Sequence, residues 1–441
     1  MIQQLCSVTT LWSAGVILVF FALVYGMNRL PKKRFGFAKR VLIGSGCGSV
    51  FGLFVYYMDG WLGGVLREDA AGWFAMVGNG YISLFKVLVV PAILIATVRM
   101  VLHTPVYQEV PKHVKVRKWV NTLMLALSVA VGLASGILLN VGGRTGMMPG
   151  QVAFQEGKSL PELLYGLIPS NITMDVLTGN VAAVFVIAVL TGIAARRMSG
   201  KYMETVKPFF DLTEAAFSIM GSVCKTVIAW KPSGAAAIMA LFLGINGPVG
   251  LWRLIHFLLV LILAAAVMLF LQLVLSAFHG VGPARFLSAG REAMVKAVKT
   301  CSGSACLPEA RAALFDGLGL DSEITGETAA YAIASGMQGC AALFPALALV
   351  FTVNMAGVAW TPDLIAAAVV VIVAVSYGIT GVPGTAMTSE FAAVLGTGMG
   401  GIINFIGPMI AIDPIGDVFR TLINVTGCMT NAILVERKVR K

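Results

Sequence analysis

The chain has 441 residues, of which 58% are hydrophobic and 12% charged, with a mean hydropathy of +0.87. That balance lies outside the averages of soluble globular domains and points to a membrane protein. The formal charge of +11 would suit a nucleic-acid binder, but it is gathered into short connections between apolar runs, which argues against a nucleic-acid partner and for cytoplasmic helix ends.

In chain order, apolar runs at 11–27, 40–58, 73–102, 119–141, 178–195, 204–229 and 251–278 approach or exceed the roughly 20 residues that a helix needs to cross the hydrocarbon core. The first resembles a signal peptide in length. No basic residue precedes it and no small-residue cleavage site is evident, so a retained helix with its N-terminus outside is expected. Cys6 stands before this run rather than after it, which speaks against a lipid anchor. Basic residues cluster in "RLPKKRFGFAKR" (29–40), "KHVKVRK" (112–118), "ARRMSGK" (195–201), the Arg285, Arg291, Lys296 and Lys299 group, and the tail "ERKVRK". The connections at 59–73 and 142–180 carry more balanced charge, so the basic side, with the C-terminus, is placed in the cytoplasm. The seven cysteines form no CxxC pair and no zinc spacing, and neither a metal site nor a disulfide framework is expected.

Beyond residue 280 the pattern changes. "TCSGSACLPE" (300–309) and "SYGITGVPGTAMTSE" (376–390) are small, polar, Gly- or Pro-bearing stretches between helix-like segments. Irregular backbone cannot face lipid, because unpaired N–H and C=O groups find no water there, so both stretches must be buried in protein or line a wet cavity. Each precedes an apolar helix with polar interruptions: "ETAAYAIASGMQGCAALFPALALVF" after the first, "DPIGDVFRTLINVTGCMTN" (413–431) after the second. A hairpin followed by a broken helix, twice, is the internal repeat of a secondary transporter whose site forms where discontinuous helices meet.

The last segment is amphipathic. At about 100° per residue, Asp413, Asp417, Arg420, Thr421, Asn424 and Cys428 fall within an arc of about 100°, while Val418, Phe419, Leu422, Ile423 and Val425 take the other side. An Arg or Asp at membrane depth costs roughly 2.5–3.5 kcal/mol on insertion scales, so the stripe must face a cavity or the bundle interior. Asp417 and Arg420, at i and i+3, could form a structural ion pair. Alternatively Asp417 receives an ammonium group and Arg420 forks onto a carboxylate, which together describe an amino-acid site.

"GDVFRTLINVTG", "GVPGTA" and "CSGSACLP" resemble the last helix and the two hairpin tips of the dicarboxylate/amino-acid:cation symporters, the glutamate transporter superfamily. "AKRVLIGSGCGSVFGLF", "VGNGYISLFKVLVVPAILIA" and "YGLIPSNITMDVLTGN" extend the resemblance over nearly the whole chain, and "GMQGCAALFPALALV" with the extra N-terminal helix looks most like the L-cystine transporter branch. The resemblance implies an all-α polytopic membrane protein with about nine transmembrane helices plus two re-entrant helical hairpins in inverted repeats. It also implies a homotrimer in the plasma (inner) membrane and an elevator movement of a transport domain. Residues 1–283 would supply a scaffold-rich half, some of whose helices join the transport domain, and 284–441 the transport core. Asp417 would bind the substrate amino group, Arg420 the distal carboxylate, and Thr421 and Asn424 the α-carboxylate and amino group. Ser302 and Ser304 would lie at the first tip. Gly381, Val382, Pro383, Gly384 and Thr385 would form the second, gating tip.

Two departures bear on the coupling ion. Where glutamate-type members carry Asn-Met-Asp-Gly-Thr, this chain has Gly336-Met337-Gln338-Gly339-Cys340, and a second sodium-binding Asp aligns with Cys428. Gln338 and Cys340 are expected near the substrate all the same. "NMAG" at 354–357 matches the motif by letters but lies too far along the chain. Sodium prefers oxygen ligands, and two carboxylates are gone. Asp413, Ser376, Asn424 and Glu390 are the candidate cation-coupling residues, with Na+ or H+ as the ion. A proton is the rival because a carboxylate held away from water ionises less readily. The reading is a symporter that imports an amino acid, L-cystine before glutamate, aspartate or a dicarboxylate, without a cofactor. An intramembrane enzyme would need a nucleophile with its base or an HExxH set, and neither is present. An anion channel could use Arg420, and saturable uptake would distinguish the two.

Overall fold

The structure is a computed structural model that describes residues 11–32, 34–62, 64–104, 110–143, 160–166, 168–379 and 381–440. Cys6 and much of the 142–180 connection lie outside these residues. Among the described residues every regular element is helical, and nine helical stretches are long and apolar enough to cross a membrane. The chain is therefore an all-α polytopic membrane protein.

The first half runs α1 (Leu11–Arg29), α2 (Phe37–Trp61), α3 (Val65–Leu102), α4 (Lys112–Leu138), the short α5 (Leu160–Gly166) and α6 (Ile172–Thr178), α7 (Val181–Ser199), α8 (Met203–Ala229) and α9 (Lys231–Phe278). The apolar runs mark most of these correctly. The exception is α9, which begins at Lys231 and not near residue 251. Its first part, "KPSGAAAIMA", is built of small residues that carry little hydropathy but pack closely. Gly44, Gly48 and Gly52 of α2 lie against Pro232, Ala236 and Ala240, so closely that a Cβ at Gly44 or Gly48 would sit 2.2 Å from a carbonyl oxygen of α9. Small residues at such crossings let backbones approach where lipid gives no hydrophobic drive to association. α9 then breaks at Gly247 (φ 56°, ψ −145°), just before Pro248.

The second half holds α10 (Pro283–Ala289), α11 (Arg291–Thr300), α12 (Leu307–Ala312), α13 (Ser322–Ser335), α14 (Phe344–Met355), α15 (Pro362–Gly378), α16 (Thr385–Gly396) and α17 (Gly407–Arg440). α11 and α12 flank a tip at 301–306, and α15 and α16 flank another that includes residues 381–384. At about 1.5 Å per residue α11 and α16 reach only about 15–18 Å, against a hydrocarbon thickness of about 30 Å.

The break anticipated between α13 and α14 is present. Gly336 (φ −169°, ψ 49°) and Met337 (φ −68°, ψ 99°) leave helical geometry, and a π-helical stretch, Gln338–Leu343, restarts the helix. The second broken helix is not found: α17 runs unbroken from Gly407 to Arg440 with Pro414 inside it, after a 3-10 turn at Gly400–Ile406. A proline removes only one backbone hydrogen bond, and the polar groups of α17 are supplied by side chains rather than by unwound backbone. α14 is the centre of the core, with Phe344 to Val353 all buried.

Candidate functional site

A cavity of about 320 Å³ lies where α17, the broken helix, both tips and the start of α9 converge. That is within the usual range for small-molecule sites. Asp413, Asp417, Arg420, Thr421 and Asn424 line it from α17, so the polar stripe of this helix faces a cavity as its periodicity requires. Cys301 and Gly303 close it from the first tip, Gly384 and Thr385 from the second, and Met337 and Cys340 from the break. Left-handed backbone at Gly381 (φ 76°) and Gly384 (φ 75°) turns the second tip, and a Cβ at Gly384 would meet Ile228 at 2.8 Å.

Arg420 organises the charges. Its Nη2 lies 2.5 Å from Asp413 Oδ1 and 3.2 Å from Asp417 Oδ1, its Nη1 3.9 Å from Glu390 Oε1, and its guanidinium 4.0 Å above the Phe344 ring. The i, i+3 pair of Asp417 and Arg420 is therefore real, but it does not exhaust either group. The Arg420 side chain is 1% exposed and its Nε and Nη1 have no hydrogen-bond acceptor, whereas Asp417 keeps 33% exposure toward the cavity. Lys231, at the start of α9, forms an ion pair with Asp413 Oδ2. Three carboxylates (Asp413, Asp417, Glu390) thus surround two cations (Arg420, Lys231), leaving the fully ionised cluster one positive charge short. Glu390 is fully buried, and neither of its oxygens has a hydrogen-bond donor.

Several other residues named from the resemblance have local work. Asn424 Oδ1 accepts the N–H groups of Gly339 (2.8 Å) and Cys340 (3.2 Å), so it holds the restarted helix to α17. A Cβ at Gly339 would lie 2.1 Å from the Arg420 carbonyl, which shows how closely the two helices meet there. Cys340 Sγ is 3.9 Å from Asp417 Oδ1, and Thr421 Oγ1 donates to the same oxygen at 3.4 Å. Ser376 is tied to the carbonyls of Ala341 and Ile372, behind the cavity wall. Ser302 Oγ accepts the Ala305 N–H within the first tip, and Ser304 is exposed; neither lines the cavity. Gly381, Val382 and Pro383 belong to the second tip but not to the lining, and Val382 packs on Ala92 and Ala96 of α3. Asn354 of "NMAG" sits far along α14, bonded to Val141 and Trp360.

Gln338 points away from the cavity into a buried amide network. Its Oε1 accepts from Gln272 (2.8 Å), its Nε2 donates to Asn431 (3.1 Å), and Asn431 donates to Asn121 (3.0 Å). Among the cysteines, Cys301 and Cys340 line the cavity. Cys306 and Cys428 belong instead to an apolar cluster with Ala332, Val425 and Met429.

Lys231 is the member that sequence reasoning missed. Its signal was available: a single lysine in "VIAWKPSGAAA", where a charge at membrane depth calls for a partner.

The profile of the sodium:dicarboxylate symporter family matches residues 37–438. The chain belongs to this family. It is accordingly a secondary transporter and not an enzyme. Among similar proteins, the L-cystine uptake protein TcyP of Bacillus cereus (strain ATCC 10987 / NRS 248) is 27% identical over 96% of this chain and 93% of its own length. Proteins of the same name from Bacillus licheniformis and Bacillus subtilis (strain 168) are each 26% identical, over 97% and 96% of this chain and 95% and 94% of theirs. The cavity gathers a partly exposed carboxylate, a guanidinium and residues of both tips around one space.

Proposed function

We propose that this symporter imports L-cystine, with Asp417 as the ammonium ligand and Arg420 as the carboxylate ligand. The observation that carries the reading is the cavity-facing Asp417 carboxylate 3.2 Å from the guanidinium of Arg420, which lines the same cavity. An acid and a base side by side match the two charges of an α-amino acid, and the name of the relatives, L-cystine uptake protein, directs the choice among amino acids. Thr421 and Asn424 border the α-carboxylate, and Cys340, Cys301, Gly303, Gly384 and Thr385 complete the enclosure.

A coupling cation moves with the solute, and we favour a proton over sodium. The cluster lacks one positive charge, which a proton shared among Asp413, Asp417 and Glu390 supplies. The positions where a sodium-type site would place carboxylates hold Gln338, engaged with neutral amides, and Cys428, in an apolar cluster. α11 and α16, too short to cross, form re-entrant hairpins. Residues 284–441 carry the solute in an elevator movement within a homotrimer of the plasma membrane, while 1–283 supply much of the scaffold. The N-terminus lies outside and the C-terminus in the cytoplasm, on the side of the basic connections.

Labelled L-cystine binding to the purified carrier tests the site. Asp417→Asn is expected to weaken it by about 3 kcal/mol, roughly a hundredfold, as for loss of one partner of a buried charge pair. Wild-type affinity in that variant removes Asp417 from the site.

A further inference from the structure

Lys231 is buried at the start of α9, held there by the close packing of α2 on Pro232 and Ala236. Burying an ammonium is costly, and the usual compensation is one anion. Asp413 is that anion, and it also meets Arg420 at 2.5 Å, which faces Asp417 as well. The two carboxylates of α17 are thus matched by two cations, one of them brought in by α9. All four groups line the same cavity, and their contacts run in sequence: Lys231 to Asp413, Asp413 to Arg420, Arg420 to Asp417. The wall alternates positive, negative, positive, negative. A solute with one amino-acid end needs one acid and one base; two of each in alternation fit a solute with two such ends.

We infer that Lys231 and Asp413 form a second amino-acid subsite, in which Lys231 takes the distal carboxylate and Asp413 the distal ammonium of a two-ended amino acid whose near end is held at Asp417. Arg420 stands between the two ends, beside Asp413 on one side and Asp417 on the other. An ammonium has three donors and Asp413 accepts one, which leaves donors on Lys231 for the solute. A distal end that is only a carboxylate, as in glutamate, leaves Asp413 facing a like charge, so the subsite selects against it. This inference rests on the amino-acid reading of the cavity and extends it to the class of solute.

The test is displacement of labelled L-cystine from the full-length carrier. The two-ended competitors are diaminopimelate and cystathionine, and the one-ended competitors S-methylcysteine and glutamate. In the wild type the two-ended competitors should act at concentrations about tenfold lower or better, the scale of one added charge contact. Lys231→Met should remove that advantage while S-methylcysteine changes by no more than about twofold, and Lys231→Arg should restore part of it. Equal loss for both classes in Lys231→Met, or no loss for either, overturns the inference. If that variant does not fold, a Lys231→Arg carrier that treats the two classes alike overturns it equally. Direct binding of labelled diaminopimelate separates the two proposals. A wild type that binds it but not cystine defeats the cystine reading and supports the subsite; one that binds S-methylcysteine as tightly as either two-ended compound defeats the subsite.

Discussion

Arg420 shows how a charge can be kept inside an apolar bundle. Asp413 and Asp417 take one of its terminal nitrogens, Glu390 approaches the other, and Phe344 lies beneath its plane. Removing it leaves carboxylates that no longer have their cation, a loss of roughly 3–5 kcal/mol where one partner of a buried pair is taken away. Arg420→Ala is expected to lower the yield of folded carrier and, in the protein that remains, to spare small neutral amino acids relative to cystine and glutamate. Competition against labelled solute measures this, and an unchanged ranking of solutes contradicts the role given to Arg420. The α17 residues of the site were legible from periodicity alone, because a helix at about 100° per residue carries its polar face in plain view. Lys231 was not, because it belongs to a different helix, and a single charge beside Trp230 and Pro232 reads as a helix end. Asn424 lines the cavity, but its bonds to Gly339 and Cys340 were not foreseen, since they depend on how the restarted helix meets α17.

At the scale of elements, the cavity depends on close backbone approach. The α2 glycines set the distance to the first part of α9 and so fix where Lys231 enters. Gly48→Leu is expected to drive the two helices apart, since its Cβ alone would lie 2.2 Å from the Ala236 carbonyl oxygen. The outcome to look for is loss of the monodisperse peak in size-exclusion chromatography. A variant as monodisperse and as active as wild type contradicts the packing argument. The extent of α9 was hidden in the sequence because alanines and glycines contribute through shape rather than hydropathy. The break at Gly336 was readable from its glycines and polar residues. The unbroken course of α17 was not, because Pro414 looks like an interruption when only the sequence is seen.

For the whole molecule, the membrane class and seven of the nine apolar spans followed from composition and run length, since about 20 apolar residues have few other uses, while the count of about nine came with the resemblance. Family membership adds symport, and the charge count of the cavity adds an argument about which ion moves. A homotrimer of 46.5 kDa protomers is expected from native mass spectrometry in lipid-like detergent, and a monomeric or dimeric mass contradicts that assembly. The most direct test of the account is uptake of labelled L-cystine and of labelled glutamate into proteoliposomes, with pH and sodium gradients imposed one at a time. Saturable cystine accumulation that follows the inward pH gradient without sodium, and little accumulation of glutamate, is the predicted result. Accumulation of glutamate but not cystine would contradict the solute assignment, and cystine uptake that requires sodium and ignores pH would contradict the coupling.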